Sequence, residues 1–172
     1  MPQAQPTPRG TIEAANWPAD VPLARELFLE YAEWLDLDLC FQGFDAELAG
    51  LPGGYAPPHG NLWFARVEGA VAGVVGLRPF AQDGRSQGWC EMKRLWVRPD
   101  YRGLGLGRRL AEQTLEAAEA LGYRRMVLDT VHHMGEAQAL YASLGFRDRR
   151  EQVRAPHPEL VYMERDLAPG GG

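Results

Sequence analysis

A chain of 172 residues, 45% of them hydrophobic, suits a single domain with a real apolar core. Its formal net charge of −5 argues against a nucleic-acid partner, because an acidic protein repels the phosphate backbone. No apolar run is long enough to cross a membrane, and the proline-rich start lacks the apolar core of a secretory signal, so a cytoplasmic protein without a membrane partner is expected.

The chain divides into a flexible tail (residues 1–10), one domain (11–167) and a second tail (168–172). Residues 11–15 read as a first strand. Asp20 is a candidate N-cap with Pro22 just inside, and Ala24, Leu27, Phe28, Tyr31 and Leu35 recur at helical spacing. Phe44, Leu48 and Leu51 suggest a short second helix closed by Pro52-Gly53-Gly54. Residues 62–67 and 71–77 are β-rich and separated by Glu68-Gly69-Ala70, which reads as a hairpin. A turn around Asp83 and Gly84 leads to a strand over 89–97. The next helix places Leu106, Leu110, Ala117 and Leu121 on one face and stops at Gly122. Residues 126–130 form a strand, Ala137, Leu140, Tyr141 and Leu144 a helix capped by Gly145, and 146–150 with 160–167 a closing hairpin. Cys40 and Cys90 have neither zinc-site nor disulfide-framework spacing, so both read as buried thiols and no metal is expected.

Between the strand ending in Leu95, Trp96 and Val97 and the helix that follows lies the run Arg102-Gly103-Leu104-Gly105-Leu106-Gly107-Arg108. A glycine-rich turn at a helix N-terminus aims several backbone N–H groups at one spot, where an anion can approach closely. Arg102, Arg108 and Arg109 add positive charge suited to a pyrophosphate. The P-loop pattern fails because Gly107 is followed by two arginines rather than Lys-Ser/Thr. The dinucleotide fingerprint fails because Arg108 occupies its last glycine position. The pattern that fits is R-x-x-G-x-G, carried by Arg102, Gly105 and Gly107.

That motif resembles the pyrophosphate loop of the GNAT superfamily of acyl-CoA-dependent N-acetyltransferases, and the likeness runs from Thr11 to Leu167. The segment from Glu91 to Val97 is similar to the family's fourth strand, and the run from Ala139 to Phe146 to its A-x-x-L-Y-x-x-L-G-F helix ending. The resemblance implies an α+β fold: one GNAT-like domain whose central mixed, mostly antiparallel sheet carries helices on both faces. It implies acetyl-CoA (coenzyme A) as cofactor and a small-molecule or peptide amine as acceptor, and it allows a homodimer. The cofactor-binding residues it implies are Leu95, Trp96, Val97, Arg102, Gly103, Leu104, Gly105, Leu106, Gly107 and Arg108, with the N–H of Val97 or a neighbour meeting the thioester oxygen.

The resemblance further implies that Tyr141 donates to the coenzyme A sulfur; the plain alternative is a core aromatic beside Leu140 and Leu144. Glu91 matches the glutamate base of the histone-modifying branch. Six residues before Val97, it is expected on the same strand face, and the alternative is an ion pair with Lys93, Arg94 or another arginine. Asp129 is a second candidate base, and the adjacent His132 and His133 read as solvent-facing. Met134 stands where many members carry an asparagine that bonds the cofactor. Residues 26–47 hold Glu26, Glu30, Glu33, Asp36, Asp38, Asp45 and Glu47 without a Lys or Arg. If these face the acceptor cleft they select cationic amines; otherwise they are the wet side of a helix. A non-catalytic acyl-CoA-binding or sensing module is the rival reading.

Overall fold

The computed structural model describes residues 10–80 and 88–168; the turn at Asp83 and Gly84 and the tails, apart from Gly10 and Ala168, lie outside them. Seven strands form one sheet: β1 (Thr11–Ala14), β2 (Asn61–Val67), β3 (Ala70–Pro79), β4 (Trp89–Val97), β5 (Arg125–Val131), β6 (Arg147–Asp148) and β7 (Leu160–Asp166). Their order is β1-β2-β3-β4-β5-β7-β6, and only β4 and β5 run parallel. Helices α1 (Val21–Leu35) and α2 (Phe44–Ala49) cover one face. Helices α3 (Leu106–Ala120) and α4 (Gly135–Ser143) cover the other, each face with its own apolar cluster. Among the described residues no helix is long and apolar enough to cross a membrane.

The helical stripe of α1 is buried as its spacing demands: Ala24, Leu27, Phe28, Tyr31 and Leu35 all face the sheet. Asp20 does not cap that helix, because its carboxylate accepts the Asn16 N–H at 2.7 Å. In α3 the buried stripe is Leu106, Leu110, Ala111, Thr114, Leu115 and Ala118. Ala117 falls at its edge, and Leu121 is exposed because it lies past the last helical residue. Cys90 is buried as expected, but Cys40 is exposed. It sits on a 3₁₀ turn (Leu39–Gln42) whose entry is set by Asp38 accepting the Cys40 N–H at 2.9 Å.

One irregularity organises the functional region. In the β3–β4 pairing, Gly76 opposes Lys93 and Val74 opposes Trp96, so β4 carries an extra residue. Arg94 adopts a left-handed φ of 60° at this bulge. Alternation is thereby reset. Cys90 and Met92, then Leu95 and Val97, pack with the α3 cluster. Glu91, Lys93, Arg94 and Trp96 face α1 and α2, as their contacts with Arg78, Gln42, Glu47 and Tyr31 show. Glu91 and Val97 therefore lie on opposite faces, contrary to the expectation from simple period-two spacing.

Candidate active site

β4 and β5 pair only over Trp89↔Arg125, Cys90↔Met126 and Glu91↔Val127, and then part. β5 continues against β7 as far as Val131↔Leu160, so the second half of β4 presents an edge toward β5 with no strand on it. Two cavities open along this edge, one at each half of β4.

The first is a groove of about 530 Å³ bounded by Leu95, Trp96 and Val97, the glycine turn, and the first residues of α4. Gly105 caps α3 in the left-handed region at φ 76°, and Gly103 has φ 81°. A Cβ at either position would meet nothing within 4 Å, so the protein itself leaves this space open. Among the described residues, no amide from Gly103 to Arg108 donates to a backbone carbonyl outside the helix. The first turn of a helix supplies no acceptor for them either. Unpartnered amides at a helix N-terminus beside open space fit a pyrophosphate.

Of the residues the motif singles out, Leu95, Trp96, Val97, Arg102, Gly103, Gly105, Leu106 and Gly107 meet in this groove. Leu104 packs toward the α3 cluster instead. Arg108 donates to Ser143 Oγ at 2.6 Å, and Arg109 to the Gly10 carbonyl at 2.6 Å, so neither guanidinium lines the groove. Arg102 does line it. Its guanidinium lies 4.8 Å from the Trp34 ring and 5.2 Å from Trp96, and its Nε donates to the Val97 carbonyl at 3.2 Å. Met134 is also in the wall, with Sδ 3.8 Å from Thr130 Oγ1. Sequence reasoning missed Trp34. Its only signal is an aromatic standing off the buried stripe of α1.

The second cavity, about 360 Å³, lies on the α1 face where the strands part, and its wall includes Gln42, Arg78, Glu91, Lys93, Asp129, Arg149 and Tyr162. Glu91 is ion-paired with Arg78 at 2.6 Å. Lys93 Nζ lies 3.2 Å from Gln42 Oε1 and 3.5 Å from Asp129 Oδ2, and Gln42 also donates to Asp129 Oδ1 at 3.2 Å. Burial alone would raise the Asp129 pKa, but Lys93, the Gln42 hydrogen bond and Arg94 outweigh it and hold the carboxyl below its usual range. Arg94, almost fully buried, is clamped by Glu47 through two 3.0 Å bonds. No role for Lys93 or Arg94 follows from sequence, because the bulge that turns both to one face has no local signature.

Tyr141 is the buried residue of α4, its ring 5.9 Å from that of Phe146. Burial, then Tyr31 and the Asp129 carboxylate, push the phenol well above its ordinary pKa. Tyr31 is itself pushed up to about 12, mainly by burial. His132 and His133 are exposed. The carboxylates of residues 26–47 do not line the second cavity. Glu26 and Glu30 bind Arg98 at 3.2 and 2.6 Å, Glu47 serves Arg94 and Arg78, and Glu33, Asp36, Asp38 and Asp45 are exposed. Of the two readings of this stretch, its carboxylates follow the one in which they lie away from the cavity.

An open groove at the glycine-capped start of α3, beside a parted pair of parallel strands, agrees with the fold that the sequence motifs led us to expect. Residues 19–146 match the Acetyltransferase (GNAT) family, and the chain belongs to that family, whose general chemistry is acetyl-CoA-dependent N-acetyl transfer. It is 40% identical over 159 residues to an uncharacterized N-acetyltransferase of Schizosaccharomyces pombe, covering 92% of this chain and 95% of that one. An uncharacterized N-acetyltransferase of Escherichia coli is 33% identical over 129 residues, 75% of each chain. Among solved structures, a GNAT-family acetyltransferase from Staphylococcus aureus superimposes with a TM-score of 0.74 at 20% identity, covering 93% of this chain and all of that one. A Salmonella typhimurium protein solved with its cofactor acetyl-CoA does so with a TM-score of 0.67 at 21% identity, covering 95% and 99%. Membership of the family, rather than that likeness of fold, is what makes acetyl-CoA the cofactor.

Proposed function

We propose that this chain transfers the acetyl group of acetyl-CoA to the amine of a small acceptor by direct attack, with the cofactor in the groove of the glycine turn and the acceptor in the cavity on the α1 face. The observation that carries this reading is that two cavities lie along successive stretches of β4 where it parts from β5, with Glu91 and Lys93 in the wall of one and Leu95, Trp96 and Val97 in the wall of the other. When bound, acetyl-CoA supplies an acetyl group activated as a thioester, whose C–S bond is exchanged for a C–N bond.

Leu95, Trp96 and Val97 offer a strand edge to the pantetheine arm, and the amides from Gly103 to Arg108 offer donors to the pyrophosphate. Leu104 and Arg108 contribute through the backbone rather than through their side chains. Tyr141 keeps its proton across the working pH range because its pKa is raised. A thiol titrates near ~8.5 and a phenol near ~10 even unperturbed, so full proton transfer to the departing sulfur is uphill. Tyr141 therefore acts by donating a hydrogen bond to the thiolate, which takes its proton from water.

The acceptor reacts as the neutral amine. As its nitrogen acquires the acetyl group, the remaining N–H becomes strongly acidic, so even a carboxylate of depressed pKa suffices to take the proton and pass it to water. Asp129 is assigned that role because it stands in the wall of the acceptor cavity where β5 leaves β4, held there by Gln42 and Lys93. Glu91 is committed to Arg78 and shapes the acceptor cavity.

The test is acetyl transfer from acetyl-CoA across a panel of amines, read by released thiol and by product mass, for the natural chain and for Tyr141→Phe. Transfer is expected, with kcat lowered about tenfold to a hundredfold in the variant. Tight acetyl-CoA binding without turnover on any amine would establish the sensing module instead.

A further inference from the structure

The acceptor cavity is basic in a protein that is acidic as a whole. Its charged walls are Arg78, Lys93, Arg149 and Arg154 against Glu91 and Asp129. Two of the cations are already answered, Arg78 by Glu91 at 2.6 Å and Lys93 by Asp129 at 3.5 Å. Arg149 and Arg154, at the β6–β7 end, are not answered within the cavity.

Arg149 is an unusual arginine. Its side chain is 9% exposed and its buried Nε has no hydrogen-bond partner. The guanidinium lies 5.8 Å from the centres of both the Phe80 and Trp89 rings. Its nearest carboxylate, Glu164 at 3.6 Å, is shared with Arg125 at 3.1 Å and Arg147 at 3.6 Å. One acidic group therefore serves three guanidiniums, with Asp166 assisting only Arg125 and Arg147. Arg154 is exposed and has no ion pair among the described residues. A buried, incompletely bonded cation is costly unless an anion completes it. An arginine held against aromatic faces presents its donor fork in a fixed plane, which matches a carboxylate.

We propose that the acceptor is a small amino acid: an amine that also carries a carboxylate, bound by Arg149 and Arg154 while its nitrogen points to Asp129 and the parting of β4 from β5. This rests on the transfer reading above and specifies its acceptor class. The cavity's volume of about 360 Å³ suits a molecule of that size better than a folded partner's surface. None of the carboxylates of α1 and α2 lines the cavity, so none opposes an anion there.

The test compares amino acids with their own carboxamides and decarboxylated amines as acceptors at saturating acetyl-CoA. Free amino acids are expected to exceed both partners by at least a hundredfold in kcat/KM. Arg154→Gln, an exposed position with no packing role, should raise KM for amino acids about tenfold or more and leave KM for the carboxamides within twofold. Arg149→Gln should do the same more strongly, with acetyl-CoA affinity by calorimetry unchanged in both variants. Better turnover of carboxamides, decarboxylated amines or polyamines than of amino acids would overturn the acceptor class while leaving acetyl transfer intact. An equal KM effect of Arg154→Gln on charged and uncharged acceptors would also overturn it. Absence of product with every amine would instead overturn the transfer reading, and this one with it.

Discussion

Glu47→Ala should destabilise the protein far more than an ordinary helical substitution. The side chains of Arg94 and Glu47 are 1% and 7% exposed, and the guanidinium meets the carboxylate through paired 3.0 Å bonds. Arg78 adds a third bond to the same carboxylate at 2.9 Å. Without Glu47, Arg94 keeps, among the described residues, the Gln42 oxygen at 3.1 Å and the faces of Phe44 and Tyr31. Removing one partner of a buried pair typically costs ~3–5 kcal/mol. For 172 residues an unfolding entropy of ~2.1 cal/mol/K per residue amounts to ~0.36 kcal/mol/K, so the melting temperature should fall by ~8–14 °C at neutral pH. The pH dependence has a definite sign. Burial raises the Glu47 pKa, but Arg94, Arg78 and Lys93 outweigh it and hold it below the ordinary 4.5. A carboxyl whose folded pKa is depressed contributes stability above its unfolded pKa and loses it as pH falls through the folded value. The gap between the natural chain and Glu47→Ala should therefore be full at pH 7 and narrow below about pH 4.5. Glu47→Leu combined with Arg94→Met, which removes both charges, should recover most of the loss. Thermal melts followed by circular dichroism at pH 7 and pH 4 decide it. A drop of less than about 2 °C, or a gap that does not change with pH, would refute the reasoning.

Two further outcomes follow from the site. Asp129→Asn should lower kcat/KM at least tenfold, whereas Glu91→Gln should move it less than threefold; rate profiles over pH 6–9 for both variants would reverse the assignment if Glu91→Gln is the slower. Gly105→Val should distort the turn locally and weaken acetyl-CoA binding at least a hundredfold, although the added carbon itself meets nothing within 4 Å. The reason is that φ 76° is closed to valine, and calorimetry on the folded variant reads the result directly.

What could be read from the sequence was what is encoded locally. The buried stripe of α1 follows from residues three and four apart, and the turn from Gly103 to Gly107 carries its chemistry in the absence of side chains. The charges were not legible because their partners are remote. Glu30 finds Arg98, 68 positions away, and Glu47 finds Arg94, 47 away, so an acidic stretch with no local base is neutral where it matters. The arginines beside the glycine turn show the same limit. Arg108 closes the run and Arg109 follows it, but their forks are taken by Ser143 and by the Gly10 carbonyl.

The bulge at Arg94 links these features. A regular strand would place Lys93 and Arg94 on opposite faces and push Arg94 into the apolar cluster under α3, where no described carboxylate waits. The extra residue costs a left-handed φ at a non-glycine, on the order of 1–2 kcal/mol, but it sets both cations toward α2 and β5. Glu47 then holds Arg94, and through Gln42 the same network orients Lys93 and Asp129. It also returns Leu95 and Val97 to the α3 side, next to the glycine turn. The inserted residue in β4 thus stands between the charged wall of the second cavity and the more apolar wall of the groove, on adjoining halves of one strand. Deleting Arg94 would leave Lys93 and Leu95 on the faces they already occupy, but it would remove the cation that ties Glu47 and Gln42 to β4, so the irregularity serves to add a buried charge to that face without displacing the apolar one.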